Sequence, residues 1–76
     1  MNGELSVLNR EGDTKIIWDS NNDDEVEAAR KTFDGLKKKG FMAYKAIGKD
    51  GRKGDIIKDF DPEAERIIMV PRMVGG

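Results

Sequence analysis

One segment with helical periodicity, residues 23–39, constrains the fold of this chain more than any other feature. Its apolar residues recur at steps of three and four and form a single stripe: Val26, Ala29, Phe33 and Leu36. Acidic residues crowd its start and three lysines crowd its end, as the helix macrodipole favours. Because an apolar stripe must be buried against another element, the rest of the chain has to supply the surface that covers it.

The ends of this predicted helix carry their own signals. Asn22 with Glu25, or Asp24 with Glu27, has the spacing of a capping box at the start. At the other end, Gly40 suits the left-handed position that follows a helix. These signals bound the helix at both ends.

Short apolar segments on both sides of the helix predict strands. Residues 5–8 and 16–18 flank a run of turn-forming residues, which predicts an N-terminal β-hairpin. After the helix we expect strands at residues 42–47, 56–60 and 66–70, with a hairpin turn at 48–51, a loop at 52–54 and a turn at 61–65. The last strand is continuously apolar, which is typical of a strand in the middle of a sheet or one covered on both faces. The predicted fold class is α+β, a ββαβββ mixed sheet with one helix on one face.

Composition excludes several classes of function. The 76 residues suffice for one domain, and a net charge of −1 gives no global field toward nucleic acid or membrane. Cysteine and histidine are both absent, which removes thiol nucleophiles, the usual zinc ligands and the commonest general base. We therefore expect no enzyme, no cofactor and no metal site. No basic and apolar leader precedes the first strand, and the longest apolar run, residues 67–70, is too short to cross a bilayer, so we expect a cytoplasmic location.

The C-terminal residues carry the strongest indication of function. Pro71 fixes φ and donates no hydrogen bond, so it should end the last strand and release residues 72–76 into solvent. Gly75 and Gly76 then give a backbone that side chains do not obstruct, which suits threading into a narrow enzyme channel. The alternative is a frayed terminus with no role, since domain ends are commonly disordered.

The element order and this tail together resemble a family, the ubiquitin-like β-grasp proteins, and within it the branch of sulfur carriers and small modifiers. The tail is similar to those of the small subunit of molybdopterin synthase and the thiamine sulfur carrier. The matching residues run from Ile67 through the proline to the terminal glycine pair, Ile67-Ile68-Met69-Val70-Pro71-Arg72-Met73-Val74-Gly75-Gly76.

The resemblance implies both an architecture and a chemistry. It implies a β-grasp domain at residues 1–71 with the last strand parallel to the first, and a flexible Gly-Gly tail at residues 72–76. It implies that an ATP-dependent activating enzyme adenylates the Gly76 carboxylate for sulfur transfer or conjugation. Gly75 and Gly76 are then the activation site, and the partner-binding tail consists of Pro71, Arg72, Met73 and Val74. The alternative is a noncovalent β-grasp module, for example a small component of a phage or other assembly.

Other features allow two interpretations each. Basic residues in the middle of the chain are candidates for a patch that binds an acidic partner or phosphates, but a lysine run is more often a solvated helix end, and we expect no nucleic-acid partner. The acidic residues around the helix start suit capping better than a calcium loop. Trp18 is either an interface anchor or, as we favour, part of the core. Alone, the chain is expected to be a monomer with a protein partner.

Overall fold

The computed structural model describes residues 2–9, 12–47 and 52–71. Within these residues the chain forms five strands and one helix in the order ββαβββ. The elements are β1 (Asn2–Val7), β2 (Thr14–Asp19), α1 (Asp23–Lys38), β3 (Phe41–Ile47), β4 (Arg52–Ile57) and β5 (Arg66–Pro71). The expected turn at residues 48–51 lies outside the described residues.

The helix begins and ends where its local signals place it. Asn22 is the N-cap, and its side-chain oxygen accepts hydrogen bonds from the backbone N–H groups of Asp24 and Glu25. Glu25 reaches back and accepts hydrogen bonds from the Asn22 side chain and from the backbone of Asp19. Of the two predicted pairs, Asn22 with Glu25 is therefore the one that caps the helix, although Glu25 contacts the Asn22 side chain, while the backbone N–H of Asn22 donates to the carbonyl of Asp19. At the other end, Gly40 adopts the left-handed conformation with φ of 98°.

The five strands form a single mixed sheet in the order β2-β1-β5-β3-β4. β1 pairs with β2 in an antiparallel hairpin, and β5 lies between β1, to which it is parallel, and β3, to which it is antiparallel. The parallel pairing of the first and last strands confirms the expected topology, and the central position of β5 explains its continuous apolar run. The arrangement is a β-grasp fold with the helix on one face of the sheet.

The core lies between the helix and the inner face of the sheet. Alternate residues of the strands point toward the helix, as the period of two requires. The buried apolar residues are Leu5, Val7, Trp18, Ala29, Phe33, Ala43, Ala64, Ile67 and Met69. Val26 and Leu36 pack against them from the two ends of the helix stripe. The predicted stripe is therefore confirmed as the helix face that covers the sheet.

Aromatic residues join the turn before β5 to this core. The centroid of the Trp18 ring lies 4.9 Å from that of the Phe60 ring, and the Phe60 centroid lies 5.7 Å from that of the Phe33 ring. The Trp18 indole also donates a hydrogen bond of 3.0 Å to the carbonyl of Pro62. Trp18 is fully buried, so its prediction as a core residue is confirmed and its alternative as an interface anchor is wrong.

The fourth strand differs from its prediction. The sequence placed a strand at residues 56–60 and a loop at 52–54, whereas β4 spans Arg52–Ile57. Its backbone pairs with β3, from the pair of Ile47 with Arg52 to the pair of Ala43 with Ile57. The register shifts between Tyr44 and Ala46 of β3. Backbone pairing does not require apolar side chains, so a polar segment serves as an edge strand. Phe60 lies beyond the strand and turns into the core.

The turn at residues 61–65 is confirmed, since the backbone N–H of Ala64 donates to the carbonyl of Asp61 across Pro62. Among the described residues, no helix has the length and apolar character needed to span a membrane.

Candidate functional site

The end of β5 is the candidate site, because the predicted tail continues from it. Pro71 is the last residue of the strand, is exposed, and pairs with Phe41 of β3. The strand thus runs one residue further than predicted. On its other side, Leu8 donates a backbone hydrogen bond of 2.9 Å to the carbonyl of Met69. The end of β5 is therefore held on one side by the residue that follows β1 and on the other side by β3.

The remaining predicted site residues lie outside the described residues. These are Arg72, Met73, Val74, Gly75 and Gly76.

An apolar surface adjoins the end of β5 on the sheet face opposite the helix. We call this surface the outer patch. It consists of side chains from three neighbouring strands, β4, β3 and β5: Met42, Tyr44, Ile56, Ile68 and Val70. The registers Met42↔Val70, Tyr44↔Ile68 and Tyr44↔Ile56 place these residues side by side. Ile56 is 58% exposed, while Ile68 at the centre is only 8% exposed because its neighbours cover it.

A charged cluster borders the outer patch on the side of β1. The Glu4 carboxylate lies 3.1 Å from Arg66 Nε and 3.6 Å from Lys15 Nζ, and it accepts a hydrogen bond from Ser6. The Arg66 contact is a close approach of opposite charges without the alignment of a hydrogen bond. Apolar and charged surfaces therefore lie next to each other on one face, which is how the core and rim of a protein interface are composed.

Two basic residues of the middle of the chain pair with nearby carboxylates. Arg30 pairs with Glu27 at 3.2 Å, and Lys45 pairs with Asp61 at 2.9 Å. The run of residues 37–39 lies at the end of α1, two residues before Phe41 and thus close to the strand end at Pro71. Of the two interpretations, a solvated helix end describes this run, which also complements the helix dipole.

The Lys45–Asp61 pair shows the clearest electrostatic coupling among the described residues. The Lys45 ammonium group donates a hydrogen bond to Asp61 and so lowers the pKa of that carboxyl group, with a further contribution from the backbone N–H of Glu63. The same hydrogen bond raises the pKa of Lys45. The pair joins β3 to the turn before β5, so it helps hold the start of that strand in place.

The site offers a surface rather than a cleft. The described part of the chain contains no concave pocket and no group of three or more acidic residues placed to hold a metal ion. Of the acidic residues around the start of α1, Glu25 takes part in the cap, since it accepts hydrogen bonds from the Asn22 side chain and from the Asp19 backbone. The described part of the molecule therefore offers an apolar surface, the outer patch, beside the end of β5.

The outer patch does not follow from the sequence alone, although the sequence contains one signal for it. Alternation placed Met42 and Tyr44 on the face opposite Ala43 and Lys45, but a single strand does not reveal which face the helix covers. That assignment depends on the pairing of β3 with β5 and β4.

Comparisons with protein-family models, with curated proteins and with solved structures return no match to this chain.

Proposed function

We propose that this chain is a ubiquitin-like carrier or modifier, activated at Gly76 by an ATP-dependent enzyme that docks on the outer patch. The observation that carries the proposal is the position of β5. It is the central strand of the sheet, and it ends at an exposed proline, beyond which lie residues 72–76 with the glycine pair. A tail that continues from a central strand is anchored at its base, which suits a tail that a partner threads into its active site.

The outer patch supports the docking half of the proposal. Its side chains surround the last residues of β5, so a partner bound there would lie beside the start of the tail. Met42, Tyr44 and Val70 are half-buried and supply apolar area for a partner. Their side chains lie on the sheet face away from the helix, so they are not part of the core. Binding across this face would hold the tail in a fixed direction, which is the positional requirement of the activation step.

The chemistry occurs at the carboxylate of Gly76 and requires that this group be free. A carboxylate oxygen attacks the α-phosphorus of ATP, diphosphate leaves, and an acyl-adenylate forms. A sulfur or amine nucleophile then attacks the acyl carbon, and AMP leaves with the former carboxylate oxygen. The products are a thiocarboxylate or an amide conjugate. The chain itself supplies access, because neither glycine has a side chain to obstruct the approach.

Intact-mass analysis tests the proposal. The wild-type protein is incubated with ATP in lysate of the source organism, and we expect a mass corresponding to an adenylate, a thiocarboxylate or a conjugate. Gly75→Val should remove that species without changing the melting temperature. Gly35→Ala, at an exposed glycine with no atom within 4 Å of an added Cβ, is the matched control and should leave the modified species in place.

A second pair of variants tests docking separately from chemistry. Ile56→Asp places a charge in the outer patch. Ile17→Asp is the control, since it places the same charge outside the outer patch, at a similarly exposed isoleucine on the opposite edge strand β2. We expect the first to slow modification and the second to leave its rate unchanged. If the wild-type protein acquires no modification under these conditions, the covalent proposal is wrong. A noncovalent module that uses the outer patch then remains, and a loss of partner binding by Ile56→Asp would identify it.

A further inference from the structure

The topology of the chain places the basic end of α1 beside the end of β5. α1 starts shortly after Asp19, which pairs with Asn2 at the start of β1. It ends shortly before Phe41, which pairs with Pro71 at the end of β5. Since β1 and β5 are parallel, α1 runs in the same direction as β5. The acidic first turn of the helix therefore lies toward the start of β5, and its basic last turn lies toward the end.

Three consecutive lysines form this basic end, and we call them the lysine cluster: Lys37, Lys38 and Lys39. Lys39 is the C-cap and precedes Phe41 by two residues. From the spacing of consecutive Cα atoms and of paired strands, its Cα lies within about 13 Å of that of Pro71. The sequence adds a further cation, Arg72, directly after Pro71. Positive charge is thus concentrated where the tail begins.

The lysine cluster differs from most other cations of the structure because it has no carboxylate partner. Four other cations each lie 2.9 to 3.6 Å from a carboxylate oxygen: Lys15, Arg30, Lys45 and Arg66. Within the part of the chain that the structure describes, the side chains of the lysine cluster form no ion pair and no hydrogen bond. These solvated charges are therefore available to a partner.

An enzyme that acts on Gly76 has to cover this end of the molecule. Five residues follow Pro71, and five residues span at most about 18 Å. The lysine cluster lies within a similar distance of Pro71, and a protein domain is wider than either distance. The surface around the active site of such an enzyme therefore lies against the lysine cluster or directly beside it.

We propose that the activating enzyme presents an acidic surface beside the site that receives the tail, and that this surface pairs with the lysine cluster. The inference rests on the proposed function and names the chemistry of the partner's docking surface. A basic surface would be repelled at this position, and an apolar surface would bury three charges without partners. Carboxylates on the enzyme pair with the ammonium groups and also speed the encounter of the two proteins.

The other charges of the molecule favour an acidic protein surface over a nucleic acid as the partner. A nucleic acid is an extended polyanion and is bound by neutralising many of its phosphates. The lysine cluster is confined to the end of α1, whereas the first turn carries Asp23, Asp24 and Glu25. Glu63 and Glu65 are exposed in the turn before β5. A partner confined to the end of β5 contacts the lysine cluster and avoids these carboxylates.

Charge reversal at two positions on one face of α1 tests the proposal. Lys38 and Lys31 are both exposed and seven residues apart, so they share a helix face and lie about 10 Å apart along its axis. The rate of modification with ATP in lysate of the source organism is followed by intact-mass analysis. At about 50 mM salt, Lys38→Glu should lower this rate roughly three- to tenfold. Lys31→Glu is the matched control and should change it by less than a factor of about two.

Salt dependence separates electrostatic docking from a loss of folding. Raising the salt concentration to about 300 mM shortens the Debye length by more than half, so the ratio of the wild-type rate to the Lys38→Glu rate should fall toward one. Comparing two chains at the same salt concentration cancels any effect of salt on the enzyme. A glutamate in the last turn of a helix opposes the helix dipole, so Lys38→Gln, which only removes the charge, is measured as well and should have an intermediate rate.

Equal rates for wild type and Lys38→Glu, or a ratio that salt does not change, would overturn this proposal and leave the proposed function standing. An effect of charge that disappears when the lysate is treated with nuclease would assign the lysine cluster to a nucleic acid and would also overturn it. If the wild-type protein acquires no modification at all, the proposed function is wrong and this inference is wrong with it.

Discussion

At the scale of single residues, one glycine sets how closely the first hairpin packs. Gly3 pairs with Trp18 across the hairpin, and a Cβ at this position would overlap the indole ring and approach the carbonyl oxygen of Ala64. The indole is held by the Pro62 carbonyl and the Phe60 ring, so it has little freedom to move away. The absence of a side chain at Gly3 is what allows Trp18, the largest core residue, to approach β1 this closely.

We therefore predict that Gly3→Ala lowers the free energy of unfolding by about 1 to 3 kcal/mol, the usual cost of overpacking. Gly35→Ala is the control, since it lies in α1 with open space around it and should raise stability by roughly 0.5 to 1 kcal/mol. Urea denaturation followed by Trp18 fluorescence measures both. Equal effects of the two variants would mean that the close approach at Gly3 is not a constraint.

The ion pair between Lys45 and Asp61 leads to a second prediction at the residue scale, which concerns how the stability of the fold depends on pH. The folded pKa of Asp61 is lowered, so its contribution to stability is present above the ordinary value of 3.8 and is lost as the pH falls through the lower folded value. The folded pKa of Lys45 is raised, so its contribution is present below 10.5 and is lost at higher pH.

Asp61→Asn isolates the charge, because the amide oxygen still accepts from the Glu63 backbone. We expect the difference in unfolding free energy between wild type and variant to be constant from about pH 5 to pH 9 and to shrink toward zero in acid. Guanidinium chloride would screen the pair, so urea titrations at a series of pH values are the measurement. A difference that grows as the pH falls would contradict the assigned direction.

At the scale of elements, α1 was the most predictable part of the chain because its signals are local. The stripe from Val26 to Leu36, the cap at Asn22 and the glycine at position 40 all act within one or two turns of the helix. β4 was misplaced because its position is set by pairing with β3, which no local pattern of its residues encodes. The parallel pairing of β1 with β5 was expected only from the family resemblance. The outer patch could not be predicted, because it depends on the pairing of β3 with both β5 and β4.

The cap of α1 is the element-scale prediction. Asn22→Ala removes the acceptor for two backbone N–H groups and the donor to Glu25, so we expect a loss of about 0.5 to 2 kcal/mol in unfolding free energy. Asn21→Ala, at the adjacent exposed position, should change stability by less than about 0.5 kcal/mol. Thermal denaturation followed by far-UV circular dichroism compares them. A cap formed instead by Asp24 would reverse the outcome, with Asp24→Ala the more damaging change.

At the scale of the whole molecule, the sheet order makes β5 the strand with the most support. It has β1 on one side and β3 on the other and its inner side chains, Ile67 and Met69, are fully buried. β4 has a neighbour on one side only and a shift in register. Stability should therefore fall from the centre of the sheet toward its edges.

Native-state hydrogen exchange tests this order. Amides of residues 67–69 should exchange only through global unfolding, with a free energy equal to that from urea denaturation, while amides bonded in β4 should exchange through local opening that costs at least about 1 kcal/mol less. The difference matters for the proposed carrier, because a partner that draws the tail into its active site pulls on β5. A strand that opens only with the whole domain transmits that pull without being peeled from the sheet. Equal protection of β4 and β5 would show a single cooperative unit, in which the central position of β5 gives the tail no anchoring beyond that of any other strand.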